Sequence, residues 1–158
     1  MVISRIYRAL LSLDSILAGA SPAVSFAIRC YVSWQFLKSG WLKLVSWDST
    51  RYLFRHEYSV PLLNSDIAAI IGTANELALP VLLIVGLATR MTAIALFAFN
   101  IVAVLSYSSV LLATGNEAAL GSHILWGGLL LVPIFYGGQN ISLDFVFRRH
   151  LGFREIKT

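Results

Sequence analysis

The chain has 158 residues, of which 58% are hydrophobic and 13% are charged, and its formal net charge is +4. Soluble domains are roughly 45–50% apolar and about 25% charged. This composition excludes a soluble globular enzyme and a disordered chain. A nucleic-acid-binding module is excluded as well, because the basic residues form no stripe interleaved with aromatic residues. A basic excess in an apolar chain is typical of Lys and Arg at a membrane surface. We therefore expect residues 1–158 to form a single domain embedded in the lipid bilayer.

The first residues of the chain combine basic and apolar side chains. A signal peptide is one interpretation of residues 2–18, but Asp14 interrupts the apolar region, which signal peptides rarely tolerate. On a helix, Arg and Ser side chains would lie opposite an apolar face. That face consists of Ile6, Leu10, Leu13 and Leu17. The segment is therefore predicted to be an amphipathic helix on the membrane surface.

Four apolar tracts are long enough to cross a hydrocarbon core of roughly 30 Å as helices. They cover about residues 22–44, 66–87, 90–112 and 119–136. The connections are short except for the one between the first two tracts, so neighbouring helices should be antiparallel. A further amphipathic helix is predicted over residues 143–150, capped by Asn140 or Ser142. The predicted fold is an all-α, integral membrane four-helix bundle with amphipathic interfacial helices at both termini.

The long connection, residues 45–65, alternates aromatic and charged side chains. Its aromatic residues are Trp47, Tyr52, Phe54 and Tyr58. Aromatic rings with polar edges favour the headgroup level, so this segment is predicted to lie at the membrane interface. The alternative is a lid over a site that opens outward.

The orientation follows from the basic residues. With four spans, both termini share a side with the turn at residues 87–90. Most of the Lys and Arg residues lie on that side: Arg5, Arg8, Arg90, Arg148, Arg149, Arg154 and Lys157. The other side has Lys43, Arg51 and Arg55. The positive-inside rule therefore predicts that both termini are cytoplasmic.

Charged residues inside the spans are the first candidates for a functional site, because a charge in the membrane interior is costly and usually has a partner. With a rise of about 1.5 Å per residue, Arg29 lies about 10 Å from the start of its span, and Glu76 and Asn100 about 15 Å from the same side. This predicts an ion pair between Arg29 and Glu76, with Asn100 nearby. The pair could lock the bundle, relay a proton or anchor a polar headgroup.

A second polar layer is predicted nearer the other surface, where Lys38, Tyr107 and His123 come out at similar depths. With Asn100, these residues are candidates for binding a cofactor. Two simpler interpretations stay open: Lys38 extends to the headgroups, and His123 is a satisfied histidine.

Other chemistries have little support in the sequence. Cys30 is the only cysteine, which excludes a dithiol pair within the chain. A two-histidine haem or copper site at His56 and His123 has no supporting motif, and we predict no metal site. Phosphate-binding loops and nucleophile elbows are absent as well.

A series of residues in order along the chain resembles the DoxX family of small four-span membrane proteins. The series is Arg29, Phe36, Ser39-Gly40, Lys43, Val60-Pro61, Glu76, Pro80, Gly86, Thr89-Arg90, Ala93, Gly137-Gly138 and Ser142-Leu143-Asp144. It covers about residues 25–147, and Gln139-Asn140 departs from the glycine pattern of the family.

This resemblance implies a protein of the cytoplasmic membrane of a prokaryote, acting with a protein partner or as an oligomer. It makes quinone a reasonable ligand, and it assigns the polar pattern of the family to Arg29, Lys43, Glu76 and Arg90. The cofactor itself stays unknown.

The leading hypothesis is a subunit of a redox-linked membrane complex, in which Glu76 and Arg29 move a proton or orient a quinone carbonyl. The first alternative is a non-catalytic anchor or assembly factor for a partner protein. The second is a transporter of small solutes or protons, although no inverted repeat is evident. Whether the chain is an enzyme stays open.

Overall fold

The computed structural model describes residues 2–60 and 63–151, and within these ranges it contains helices and no strand. The helices are α1 (Val2–Val45), α2 (Trp47–His56), α3 (Ser65–Val85), α4 (Thr89–Ser106), α5 (Ser108–Leu111), α6 (Glu117–Tyr136) and α7 (Leu143–Leu151). Pro61, Arg154 and Lys157, which the sequence analysis used, lie outside the described residues.

Four of these helices, α1, α3, α4 and α6, are long and apolar enough to cross a membrane. Their outward faces expose large apolar side chains, such as Trp34, Trp41, Ile70, Ile101 and Phe135. A bilayer accommodates such faces because its hydrocarbon is as apolar as they are. The predicted all-α membrane bundle is thereby confirmed.

The helices end where residue types allow the backbone to turn. The Asn64 side chain accepts a hydrogen bond of 2.9 Å from the backbone N–H of Asp66, which caps the start of α3. Gly86 ends α3 in the left-handed region, with a φ of +72°, where a residue with a Cβ would be strained.

The third apolar tract, predicted as one span over about residues 90–112, is divided in the structure. Helix α4 ends at Ser106, and α5 follows after Tyr107. The backbone carbonyl of Ser106 accepts a hydrogen bond of 2.9 Å from the backbone N–H of Ser59. This carbonyl is therefore paired with the α2–α3 connection at the point where the helix stops.

The amphipathic segment predicted at the N-terminus is helical and continues into the first span. Helix α1 has 44 residues, which corresponds to roughly 66 Å, about twice the thickness of the hydrocarbon core. Residues 10–20 are exposed, and Ser21 donates a hydrogen bond of 2.9 Å to Gln139. The contacts of α1 with the bundle thus begin about half-way along the helix.

The bundle closes around a small apolar core. Helices α1 and α4 each pack against both α3 and α6. The fully or nearly fully buried core residues are Val32, Phe36, Leu83, Ala93, Leu96 and Leu130.

The antiparallel contact of α1 with α3 is closest at Gly40. A Cβ placed on Gly40 would lie 2.9 Å from the Cβ of Glu76, and one placed on Gly86 would lie 2.5 Å from Nη1 of Arg29. The two helices therefore face each other with Gly40 opposite Glu76 and Arg29 opposite Gly86.

The connection rich in aromatic residues folds as α2 against the start of α3. Phe54 is buried and lies against Gly72, where a Cβ would come within 3.2 Å of its ring. Arg51 and Arg55 form ion pairs of 3.2 and 2.9 Å with Asp66.

We refer to this side of the bundle as the α2 end and to the opposite side, with the α3–α4 turn, as the α7 end.

A Gly40→Ala substitution tests the helix contact. We expect it to lower the free energy of unfolding in detergent by about 1–3 kcal/mol, because the added methyl group forces α1 and α3 apart. Gly128→Ala is the matched control in α6, since a Cβ there meets no atom within 4 Å. Its effect should be neutral or slightly stabilising. Equal thermal stability of the two variants would contradict the close contact at Gly40.

Candidate functional site

A cavity of about 270 Å³ lies between α1, α2, α3, α4 and α6 at the α2 end of the bundle. Its wall is mostly apolar, with a set of polar side chains directed from several helices. The polar lining residues are Ser39, Lys43, Tyr58, Asn75, Glu76, Ser106, Tyr107 and His123. An apolar cavity with a few placed polar groups is the usual form of a small-molecule site.

The most buried charges of the cavity form an ion pair between α1 and α3. Lys43 Nζ lies 2.5 Å from Glu76 Oε1, and the two side chains are 15% and 7% exposed. Ser39 lies one turn before Lys43 and donates a hydrogen bond of 3.2 Å to the same carboxylate oxygen, while accepting one of 3.1 Å from Lys43. Two α1 side chains on one face thus hold the carboxylate of α3.

The second oxygen of this carboxylate, Glu76 Oε2, is buried and has no hydrogen-bond partner among the described residues. The same holds for the hydroxyl groups of Thr73 and Ser106. A buried acceptor without a partner is costly in an apolar environment. Glu76 therefore offers an unused acceptor at the edge of the cavity.

One side of the cavity is a stack of three aromatic rings. The ring centroids of Phe54 and Tyr58 are 4.5 Å apart, and those of Tyr58 and Tyr107 are 4.6 Å apart. The Tyr107 hydroxyl donates a hydrogen bond of 3.0 Å to Glu57. The stack joins the α2–α3 connection to the end of α4.

Both tyrosines of this stack are held in their neutral form. Burial is the main cause that raises the pKa of Tyr58 above its ordinary value. Burial also raises the pKa of Tyr107, and its hydrogen bond to Glu57 acts in the same direction. At neutral pH both phenol groups therefore keep their protons and act as hydrogen-bond donors.

His123 forms another part of the cavity wall and is oriented by Asn100. Its Nδ1 lies 2.8 Å from Oδ1 of Asn100, whose amide nitrogen donates a hydrogen bond of 3.0 Å to the backbone carbonyl of His123. The ring also contacts Trp126, at a centroid distance of 4.8 Å. Asn100 thus links α4 to α6 and fixes the imidazole beside the cavity.

The predicted ion pair between Arg29 and Glu76 is wrong. Arg29 is fully buried at the α7 end, where its guanidinium donates to the backbone carbonyls of Leu83, at 3.2 Å, and Ile141. It also lies over the ring of Phe26, at 5.3 Å from the centroid.

The error in the predicted pair has a geometric cause. The depth count assumed that the start of the first span and the α3–α4 turn lie at the same level. In the structure this turn is level with Arg29, because Gly86 lies against its guanidinium. Arg29 and Gly40 are separated by 11 residues on α1, or roughly 16 Å. Glu76, which lies opposite Gly40, is therefore closer to Lys43.

Asp144 joins α7 to the start of α4. Its carboxylate accepts hydrogen bonds of 2.7 Å from the backbone N–H of Ala88, the backbone N–H of Thr89 and the Thr89 hydroxyl. Its own backbone N–H donates to the carbonyl of Gly86, at 3.0 Å. A negative charge at a helix N-terminus is favourable, so Asp144 caps α4 from a distant part of the chain.

The structure divides the candidate residues of the sequence analysis into separate groups. Glu76, Tyr107 and His123 line one cavity, and Asn100 supports His123. Arg29 lies at the opposite end of the bundle, and Lys38 is exposed and does not line the cavity. In residues 2–60 and 63–151, no three His, Cys, Asp or Glu side chains are close enough to hold a metal ion.

Sequence reasoning missed Lys43, Ser39 and Tyr58 as residues of this site. Lys43 was counted as a surface charge because it follows the apolar part of the first span. Two signals were available: its place in the polar pattern of the family, and its spacing of four residues from Ser39, which puts both side chains on one helix face.

Fold and site together define a small multi-pass α-helical membrane protein with a polar cavity between its helices. The DoxX family model matches residues 24–112, more than half of the chain. The chain belongs to the DoxX family, which confirms the resemblance seen in the sequence. No curated protein and no solved structure matches the chain. The ion pair of Lys43 with Glu76 lies inside the matched range, whereas His123 and Asp144 follow it.

Replacing Asp144 tests the cap at the α7 end. We expect Asp144→Ala to lower the free energy of unfolding in detergent by about 2–3 kcal/mol, because three hydrogen bonds to a charged group are lost. Asp14→Ala is the matched control, since Asp14 is exposed on α1. A melting temperature of Asp144→Ala equal to that of the control would show that the cap contributes nothing.

A double-mutant cycle tests the ion pair in the cavity. Lys43→Met alone leaves a buried carboxylate without its counter-charge and should cost about 3 kcal/mol. Combining it with Glu76→Gln should cost less than the sum of the single changes, with a coupling of about 1–3 kcal/mol. The free energy of unfolding in detergent is measured for the wild type, the two single variants and the double variant. Lys38→Met serves as the exposed control on α1. Additive effects would contradict the pair.

Proposed function

We propose that this protein is a membrane subunit of a redox-linked complex and that its cavity binds the headgroup of a quinone. One observation carries the proposal: the buried pair of Lys43 and Glu76 lies in the wall of a mostly apolar cavity, with Glu76 Oε2 unpaired among the described residues. Structural ion pairs rarely need an adjoining cavity, whereas a ligand site does.

The donors around the cavity suit a quinone. A quinone ring has apolar faces and two carbonyl oxygens that accept hydrogen bonds. The ammonium group of Lys43 and the neutral phenol of Tyr58 are donors in the wall, and the stacked rings of Phe54 and Tyr58 provide an aromatic surface. The residues present therefore meet both requirements of such a headgroup.

The proposed chemistry of the site is proton exchange. Reduction of a quinone to a quinol takes two electrons and two protons, and we assign the electron donor to a partner protein, which membership of the DoxX family makes reasonable. We assign both protons to water at the α2 end, one for each quinone oxygen, and Glu76 is the group we assign to take up a proton and pass it to the nearer oxygen. Glu57 accepts a hydrogen bond from Tyr107 at the edge of the cavity. It is exposed, so it provides a contact between the cavity and water.

The proposed location is the cytoplasmic membrane of a prokaryote, with both termini in the cytoplasm. Support comes from the number of Lys and Arg residues near the two ends. The α2 end has Lys43, Arg51 and Arg55. The α7 end has Arg90, Arg148 and Arg149, together with Arg5 and Arg8 in the part of α1 before its first contact with the bundle. This asymmetry favours a cytoplasmic α7 end and an external cavity.

A second candidate function is a non-catalytic anchor for a partner protein. Residues 10–20 of α1 are exposed and extend the helix beyond its first contact with the bundle, made by Ser21. Such a segment offers an apolar surface to another membrane protein. In this alternative the ion pair only stabilises the bundle.

Quinone binding to the purified protein separates the two functions. We expect a ubiquinone with one isoprenoid unit to bind the wild-type protein in detergent, and Lys43→Met to weaken binding at least about tenfold, because it removes a charged donor. Calorimetric titration measures the affinity, and Lys38→Met should bind like the wild type. Failure of the wild type to bind any quinone, with a partner still co-purifying, would favour the anchor.

The proton role has its own test in membranes that contain the complete complex. We expect Glu76→Gln to reduce quinone-dependent turnover by about tenfold to a thousandfold, while the affinity for quinone changes little, because the amide keeps the size but cannot exchange a proton. Assembly of the complex is checked by co-purification. Full turnover of Glu76→Gln would exclude this role for the carboxylate.

A further inference from the structure

A second concave region lies at the α7 end, away from the cavity. This region, the α4–α7 groove, lies between the start of α4, the end of α6 and α7, and encloses about 430 Å³. Its lining includes two arginines, Arg90 and Arg148, and three large side chains, Met91, Tyr136 and Phe147. The proposed quinone site uses none of these residues.

The two arginines are held at the groove by the backbone. Arg90 Nη2 donates a hydrogen bond of 3.2 Å to the carbonyl of Phe135, and Arg148 Nε donates one of 3.3 Å to the carbonyl of Asp144. Both side chains are exposed. A guanidinium has five N–H donors, so each arginine keeps further donors for a ligand while its position is fixed. Planar donors of this kind match the oxygens of a phosphate.

Asp144 also lines the groove, but its charge is already engaged. Both of its oxygens accept hydrogen bonds from the first residues of α4, and the dipole of that helix offsets the negative charge. Arg149 and His150 follow Arg148 in the last turn of α7. The charge of the groove and its surroundings is therefore positive, which favours an anionic ligand.

The large exposed side chains beside the arginines indicate a ligand that has an apolar part as well as an anionic group. Met91, Tyr136 and Phe147 are 67%, 67% and 47% exposed, and they lie where the spans α4 and α6 end. Free phosphate would gain nothing from them. A phospholipid would place its phosphate between the arginines and its glycerol and acyl chains along these side chains.

We propose that the α4–α7 groove binds the headgroup of an anionic phospholipid, with Arg90 and Arg148 as the phosphate ligands. The lipid would bridge α4 and α7, next to the Asp144 cap, and so stabilise the α7 end of the bundle. This proposal is independent of the quinone site, and either can fail without the other.

The test compares lipids on the full-length protein in detergent. We expect phosphatidylglycerol to raise the melting temperature of the wild type by several degrees and to remain bound in native mass spectrometry, while phosphatidylcholine does neither. Removing both charges in the Arg90→Gln, Arg148→Gln variant should weaken phosphatidylglycerol binding at least about tenfold. Shifts are compared within each variant, since loss of the Phe135 contact can lower the starting stability.

Two further variants make the test specific to the groove. Arg5→Gln, Arg8→Gln removes the same charge from the N-terminal part of α1 and should bind like the wild type. Arg90→Lys, Arg148→Lys keeps the charge but removes the planar donors, so it should bind phosphatidylglycerol more tightly than the Arg90→Gln, Arg148→Gln variant and more weakly than the wild type. The proposal is overturned if phosphatidylcholine or inorganic phosphate matches phosphatidylglycerol, or if the Arg5 and Arg8 variant loses as much binding as the groove variant.

Discussion

The close contact of α1 with α3 at Gly40 determines where every buried charge of the bundle lies. Because Gly40 has no side chain, the two helices approach at the level of Glu76, and Ser39 and Lys43 on the same face of α1 reach its carboxylate. The same register brings Arg29 to the backbone of the α3–α4 turn. An unpaired charge in a bilayer is costly, so a shift by one helical turn would separate Glu76 from its cation.

The two ends of the molecule differ in what their polar groups do. At the α7 end, Asp144 satisfies the first N–H groups of α4, and Arg29 satisfies carbonyls near the ends of helices. Polar groups there are mostly paired with backbone. At the α2 end, side chains pair with one another around a cavity, and Glu76 Oε2 remains unpaired among the described residues. Caps of backbone groups at the α7 end and pairs of side chains around the cavity at the α2 end thus occupy opposite ends of the bundle.

Sequence reasoning selected some of the residues that line the cavity, because polar residues are rare in the spans. The sequence analysis assigned Glu76 to one polar layer and Tyr107 and His123 to a second, and the structure brings all three around one cavity. The predicted partner of Glu76 was wrong because a depth count has to assume where each span begins relative to the membrane surface. An error of a few residues in that starting point changes which side chains lie at the same depth. Lys43 was missed because its position at the end of a span resembles that of a surface lysine.

The sequence by itself determined the class of protein, the all-α fold and four helices able to cross a membrane. These features depend on hydropathy, helix length and turn residues, which are local properties of the chain. Only the tertiary structure decided which residues are partners: Lys43 with Glu76, Asn100 with His123, and Asp144 with the start of α4. These pairs depend on the register between helices, which packing sets through small residues such as Gly40 and which no single segment encodes.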